Sequence, residues 1–341
     1  MHTRTQRTYP EQLRTGGAHT VPAPRAERGA PAGLPSALVH KRRPVAALVE
    51  GAEARMDPGR YTVDLRWPGA GMFRADPQHE PLLVLEALRQ TVIGLSHRFH
   101  GVPAEHPFIL SGIGFEFTSP TGRVGGRSDA GTARLEASCE ILQAGPRRFA
   151  AVMQAEVFRH GRSHARGTVR WEAVDPALYR ALRGRSPGAD AAFPAPGRPA
   201  EAPPLPAAEV GSDPADVLLS RSDPAEPGRW RLSADTGNLW YFDHAVDHLP
   251  GMLLVEALRQ AGYAALRPSP AAAEPRLAGA TFTFHSFGSL VSATTVRAQP
   301  PAASPRPGHT ALRMSAVQGE RVLCDAATTW RQCPGPVHPA L

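Results

Sequence analysis

Two short motifs carry the groups of this chain best suited to acid–base and anion chemistry. The first holds Glu86, Arg89 and Gln90 inside LLVLEALRQ at 82–90; the second holds Glu256, Arg259 and Gln260 inside MLLVEALRQ at 252–260. In a helix, positions i, i+3 and i+4 share one ridge, so each set stands together on one side. The apolar neighbours run almost around the circumference, which marks a helix covered on all sides. A carboxylate and a guanidinium buried there are costly unless paired or used. Two readings follow from the spacing. Each glutamate closes on the arginine of its own helix, or the polar groups line a pocket at a seam between the two motifs.

A third cluster leads into the second motif. The loop Phe242-Asp-His-Ala-Val-Asp-His-Leu-Pro-Gly251 packs Asp243, His244, Asp247 and His248 into a short stretch. His244 and His248 are four apart, as a metal pair on a helix would be, but Pro250 and Gly251 indicate loop, and the cysteines offer no third ligand. The carboxylates could instead cap the helix or a turn. Alternatively, His and Asp at the mouth of a pocket floored by Glu256 could move protons on an acyl substrate. His79, ahead of the first motif, is the weaker counterpart, and the halves have diverged at this point.

These motifs belong to a module written twice. Glu86 and Glu256 align at an offset of 170 residues; Gly59-Arg60-Tyr61 matches Gly228-Arg229-Trp230, and Ile113–Phe117 resembles Ala280–Phe284. A repeat of this length sets the architecture. Residues 1–37, rich in Pro, Gly, Arg and Ala, read as a disordered arm. The first module spans 38–174. Its strands are expected at 44–50, 61–67, 108–118, 132–142, 148–158 and 164–174. Its helix begins near Leu82 and stops between His97 and Gly101. A Pro/Ala/Gly-rich linker follows at 175–213. The second module, 214–333, repeats the order, with strands at 215–221, 229–234, 276–286, 290–299, 309–317 and 321–331 around a helix at 250–267. The expected fold is α+β: one long buried helix wrapped by a curved antiparallel sheet, twice, with the halves side by side.

Composition narrows the function further. Of 38 basic residues only one, Lys41, is lysine, which leaves 37 arginines. The net charge of +7 is spread along the chain rather than gathered in a phosphate-binding stripe, which argues against nucleic acid. No apolar run approaches the ~20 residues of a membrane helix, and the first residues lack the apolar core of a secretory signal, so the cytoplasm is the expected location. Cys139, Cys324 and Cys333 show no C-x-x-C spacing, so neither a disulfide framework nor a zinc site is expected. The run Gly122–Arg127 reads as a hairpin turn, not a phosphate loop, since no helix follows it.

FDHAVDHLPGMLLVEALRQA, HEPLLVLEALRQTVIGLSHRFHGVP and LVHKRRPVAALVE together resemble the AfsA-type A-factor (γ-butyrolactone) biosynthesis proteins, a tandem hotdog-fold family, across roughly 37–332. The resemblance implies two tandem hotdog modules forming an intrachain pseudo-dimer, needing no cofactor. It implies an acyltransferase that moves a β-ketoacyl group from an acyl carrier protein or CoA thioester to dihydroxyacetone phosphate, on the way to a butyrolactone signal. Glu86 would then take the hydroxyl proton and Arg259 would hold the phosphate or the developing oxyanion. Glu256 would orient Arg259 or act as a second acid/base, Asp243, His244 and His248 would line the entrance, and Arg89, Gln90 and Gln260 would contact substrate. The apolar helix faces would supply an acyl tunnel, with room at Gly94. A homodimer is allowed. The start of the second helix, Pro250-Gly251-Met252 followed by Glu256, is also similar to hotdog 3-hydroxyacyl-carrier dehydratases. The histidine of those enzymes falls here on Phe242, with His244 two residues on, which argues against dehydratase chemistry. A non-catalytic acyl-binding or scaffold protein is the rival reading, as is a hotdog enzyme acting on another acyl substrate. Geometry separates enzyme from binder: Glu86 and Arg259 facing one solvent-open cavity in the first, each paired within its own helix in the second.

Overall fold

A computed structural model describes residues 34–43, 46–68, 80–118, 131–184, 203–222, 226–233, 235–243, 246–267 and 273–333. Helix α1 (Glu80–His100) and helix α4 (Gly251–Leu266) are the two long helices expected, and both are buried along most of their length. Leu85, Leu88, Val92 and Leu95 of α1 and Leu253, Leu258 and Ala261 of α4 are all at most 1% exposed. Each such Leu or Val contributes about 1.5–3 kcal/mol by leaving water. That burial, rather than helix propensity, holds these helices in place.

Strands β1 (Val49–Ala54), β2 (Arg60–Trp67), β3 (Phe108–Phe117), β4 (Gly131–Ala144), β5 (Arg148–Arg159) and β6 (Arg162–Val174) surround α1. Strands β7 (Leu219–Arg221), β8 (Arg229–Leu232), β9 (Glu274–Phe284), β10 (Thr295–Ala298), β11 (Ala302–Ala303), β12 (His309–Gln318) and β13 (Arg321–Cys333) accompany α4. All join one antiparallel sheet in the order β1-β2-β4-β5-β6-β3-β9-β13-β12-β10-β8-β7, with β11 on the side of β12. Read inward from either end, the sequence of strands is the same. The halves meet where β3 pairs with β9: Ile113 opposes Phe282, Gly114 opposes Thr281 and Phe115 opposes Ala280. At this seam a Cβ on Gly114 would lie 2.9 Å from the Ala280 carbonyl oxygen, so glycine lets the strands approach.

Three expected elements are shorter or displaced, each for a local reason. The first strand starts at Val49 rather than near residue 44: just ahead of it the Gln90 side chain takes the Leu48 N–H and the Ala46 carbonyl, backbone groups that a longer strand would have used. The strand expected at 215–221 is only Leu219–Arg221, since Pro214–Asp216 forms a 3₁₀ turn. The strand at 290–299 shrinks to Thr295–Ala298. There the Gln318 amide donates to the Ser289 and Ser292 carbonyls and to Thr294 Oγ1, so a side chain takes acceptors that a neighbouring strand would have used. The proposed linker opens with helix α2 (Pro176–Arg183), capped by Asp175, whose carboxylate accepts from Leu178 N at 2.6 Å. A short helix α3 (Ala207–Val210) lies near its far end. Residues 1–33 of the expected arm, His79, His244 and the 122–127 run fall outside the described residues.

Candidate functional site

In the first half Glu86 is 1% exposed and gathers three partners. Arg89 clamps it in two-pronged fashion, Nε donating to Oε2 and Nη2 to Oε1, both at 2.8 Å. Gln90 Nε2 donates to Oε1 at 2.8 Å, and the Lys41 ammonium lies 3.3 Å from the same oxygen. Burial works to raise the Glu86 pKa; the charges of Arg89 and Lys41 and the hydrogen bonds of Arg89 and Gln90 outweigh it and hold the carboxyl at about 2. Gln90 also fastens the motif to the chain ahead of β1, accepting from Leu48 N at 2.7 Å and donating to the Ala46 carbonyl at 2.9 Å.

The second half repeats this arrangement at the same offset of 170. Arg259 donates to Glu256 from Nε at 2.7 Å and from Nη2 at 2.6 Å. Gln260 donates to Glu256 at 2.9 Å, accepts from Leu218 N at 2.9 Å and donates to the Asp216 carbonyl at 2.8 Å. The two clusters part at one position. Lys41 of the first half corresponds to Gly211 of the second, whose carbonyl accepts from Arg259 Nη2 at 3.0 Å. Gly211 has φ 56°, and a Cβ there would fall 2.5 Å from the Tyr263 ring. The second cluster is thereby sealed, with Glu256 and Arg259 both 1% exposed, whereas the Arg89 side chain is 18% exposed.

The loop of the second half reaches the first cluster. Asp243 Oδ2 accepts from Arg42 N at 3.3 Å, and the Trp240 ring lies 5.1 Å from the Lys41 ammonium. Burial opposes the charge of Arg89, but Glu86 and then Asp243 more than offset it and raise its pKa. Side chains from both halves therefore meet around Lys41, Glu86 and Arg89. Lys41 is the member that spacing missed. As the sole lysine among 38 basic residues it was a signal available in the composition.

The remaining candidates are placed as follows. Asp247 and His248 form a latch with α2. His248 Nδ1 and Asp247 Oδ1 are 2.7 Å apart, and Tyr179 Oη donates to the same oxygen at 2.9 Å. Arg183 Nη2 donates to the Asp247 carbonyl at 2.6 Å. The hydrogen bond with His248, helped by Tyr179 and Arg183 against burial, holds the Asp247 carboxyl at about 2. Glu86 and Arg259 do not face one solvent-open cavity, contrary to the arrangement expected: each is 1% exposed and is paired within its own helix. By that criterion alone the binder would be favoured. The criterion paired the wrong partners, since the second half meets Glu86 through Asp243 and Trp240. Nor is Gly94 an open space for an acyl chain: a Cβ there would meet Leu34 Cδ1 at 3.4 Å and Val39 at 3.5 Å. A cavity of about 580 Å³ opens elsewhere, over β3, β9, β12 and β13, with Glu116, Arg306 and Arg313 on its walls, and shares no residue with either cluster. Among the described residues no group of His, Cys, Asp and Glu could hold a metal ion.

Comparison with known proteins identifies the class and then the family. The profile of the A-factor biosynthesis hotdog domain matches residues 23–175 and again 201–334, so the wrapped helices are those of a hotdog fold. A protein of Streptomyces coelicolor named 2-oxo-3-(phosphooxy)propyl 3-oxoalkanoate synthase is 33% identical over 259 residues, 73% of this chain and 77% of its own length. A synthase of the same name from Streptomyces griseus is 34% identical over 74% of this chain and 81% of its own. The chain belongs to the AfsA family of A-factor biosynthesis hotdog proteins. Among solved structures, the 12:0-ACP thioesterase from Umbellularia californica covers 80% of the chain at 11% identity with a TM-score of 0.43, too slight a likeness to bear on function.

Proposed function

We propose that this protein is an acyltransferase that joins a β-ketoacyl group, delivered as an acyl carrier protein or CoA thioester, to the hydroxyl of dihydroxyacetone phosphate. What carries the reading is similarity to synthases of that product type over about three quarters of the chain. The acceptor hydroxyl oxygen attacks the thioester carbonyl carbon, the new C–O bond replaces the C–S bond, and the sulfur leaves as a thiol. Glu86 accepts the hydroxyl proton and returns it to the departing sulfur. Arg89, the partly exposed member of the cluster, faces the acceptor, and Asp243 stands at the entrance.

The two matched segments and the strand order that repeats inward from each end support an intrachain pair of hotdog modules. We infer bounds of 38–174 and 214–333 for them, a linker between, and one working site, at Glu86. Glu256 then serves to orient Arg259, and His248 holds the latch on α2. The test is direct. Purified protein is given a medium-chain β-ketoacyl thioester and dihydroxyacetone phosphate, and products are read by mass spectrometry. The expected result is a β-ketoacyl phosphoester formed in step with free thiol. Thiol release without ester would make the protein a hydrolase, and neither product across several chain lengths would remove the transferase reading.

A further inference from the structure

Thirty-seven of 38 basic positions in this chain are arginine, and the exception, Lys41, stands in the candidate site. Its side chain is 6% exposed, yet among the described residues its ammonium has a single carboxylate oxygen at 3.3 Å and the Trp240 face at 5.1 Å. Three N–H donors are thus met by one ion-pair partner and a ring. Next to it Arg89 spends two N–H groups on the same carboxylate while its side chain remains 18% exposed. Two cations therefore converge on the Glu86 carboxylate, with Asp243 acting on Arg89 from the other half, at the cluster whose arginine stays partly exposed. The sealed counterpart replaces the ammonium by the Gly211 carbonyl, which accepts a hydrogen bond from arginine and could not bind an anion. A compact ammonium also suits the slot between Glu86 and Trp240, where the wider planar fork of arginine would need more room.

We propose that Lys41 and Arg89 form the subsite for the phosphate monoester of the acceptor, and that the bound phosphate draws both cations from Glu86 and so frees it to take the hydroxyl proton. The inference rests on the transferase reading and deepens it. A carboxylate held at about 2 is a poor base. Its weakness comes from the two cations a phosphate would engage, so substrate binding itself raises its basicity. Proton transfer is then coupled to occupancy: dihydroxyacetone without phosphate leaves the clamp closed. The phosphate brings charge-assisted hydrogen bonds of the kind both side chains donate well.

A single lysine makes the test specific. Protein labelled with [ε-¹³C]lysine has one lysine signal, followed during addition of glycerol 3-phosphate, glycerol or coenzyme A. The proposal expects a saturable shift with glycerol 3-phosphate and none with glycerol. No shift with glycerol 3-phosphate, or an equal one with glycerol, overturns it; so does a shift with coenzyme A alone, which would give the subsite to the thioester donor. In turnover, Lys41→Met should raise the KM for dihydroxyacetone phosphate by about ten- to a hundredfold, the loss expected for one charge-assisted contact, and leave the thioester KM unchanged. An unchanged acceptor KM in a folded Lys41→Met sinks this inference while the transferase reading stands. Absence of product from the unsubstituted protein sinks that reading, and the lysine signal still reports on the anion subsite by itself.

Discussion

At the residue scale, the two Glu-Arg-Gln clusters share geometry but not surroundings, and that difference predicts how substitutions divide. Arg259→Ala would leave the Glu256 carboxylate buried without its clamp, and breaking a buried pair in this way costs about 3–5 kcal/mol. The expected outcome is a large fall in the unfolding free energy measured in urea; an unchanged midpoint would contradict the sealed-clamp account. Glu86 makes a pH prediction. Its carboxyl is shifted down from the ordinary 4.5 to about 2, so the folded state binds this proton less readily than the unfolded one. The stabilisation is complete above the unfolded value and is lost as pH falls toward the folded one. Unfolding free energies of wild type and Glu86→Gln, compared from about pH 5 down to about pH 3, should converge as acid is added; parallel curves would show that the clamp contributes nothing. The ridge of Glu, Arg and Gln was legible from spacing alone because helix geometry fixes i, i+3 and i+4 neighbours. Lys41 was not, because its contact with Glu86 spans 45 positions and depends on how the chain ahead of β1 is tied down by Gln90.

At the scale of elements, helices α1 and α4 were the most legible parts of the chain, since all-round apolar sequence admits few alternatives to burial. Strand ends were less so. Gln318 and Gln260 capture backbone groups far away in sequence, and those hydrogen bonds trim β10 and β7 in ways that no local pattern records. The chain around Gly211 is fixed just as tightly. Its left-handed φ of 56° and the Tyr263 ring leave no room for a side chain. Gly211→Ala should therefore destabilise by about 1–3 kcal/mol, the usual cost of strain at such a position, readable as a lowered melting temperature. A neutral substitution would mean that the α3–α4 contact yields easily. The latch on α2 makes a local prediction. Removing the Tyr179 hydroxyl in Tyr179→Phe should speed hydrogen exchange of the α2 amides relative to those of α4, while equal protection would show that α2 is held by other contacts.

At the scale of the whole molecule, one sheet runs through both halves, and pairing of β3 with β9 leaves neither strand as an edge. The repeat announced two modules, and Ile113–Phe117 and Ala280–Phe284 were already recognisable as equivalents. That these very segments pair with one another was not legible, because sequence similarity between two strands does not say which edges join. Joining them brings the loop with Trp240 and Asp243 to the first cluster, so among the described residues the two similar helices differ in what the other half contributes to them. The claim that a single site, at Glu86, does the chemistry is tested most directly by the isosteric pair Glu86→Gln and Glu256→Gln in the transferase assay, each checked for folding. The account predicts that Glu86→Gln loses about a hundredfold or more in kcat, the usual loss of a general base, while folded Glu256→Gln stays within a few-fold of wild type. Equal losses in both, or a loss confined to Glu256→Gln, would contradict it.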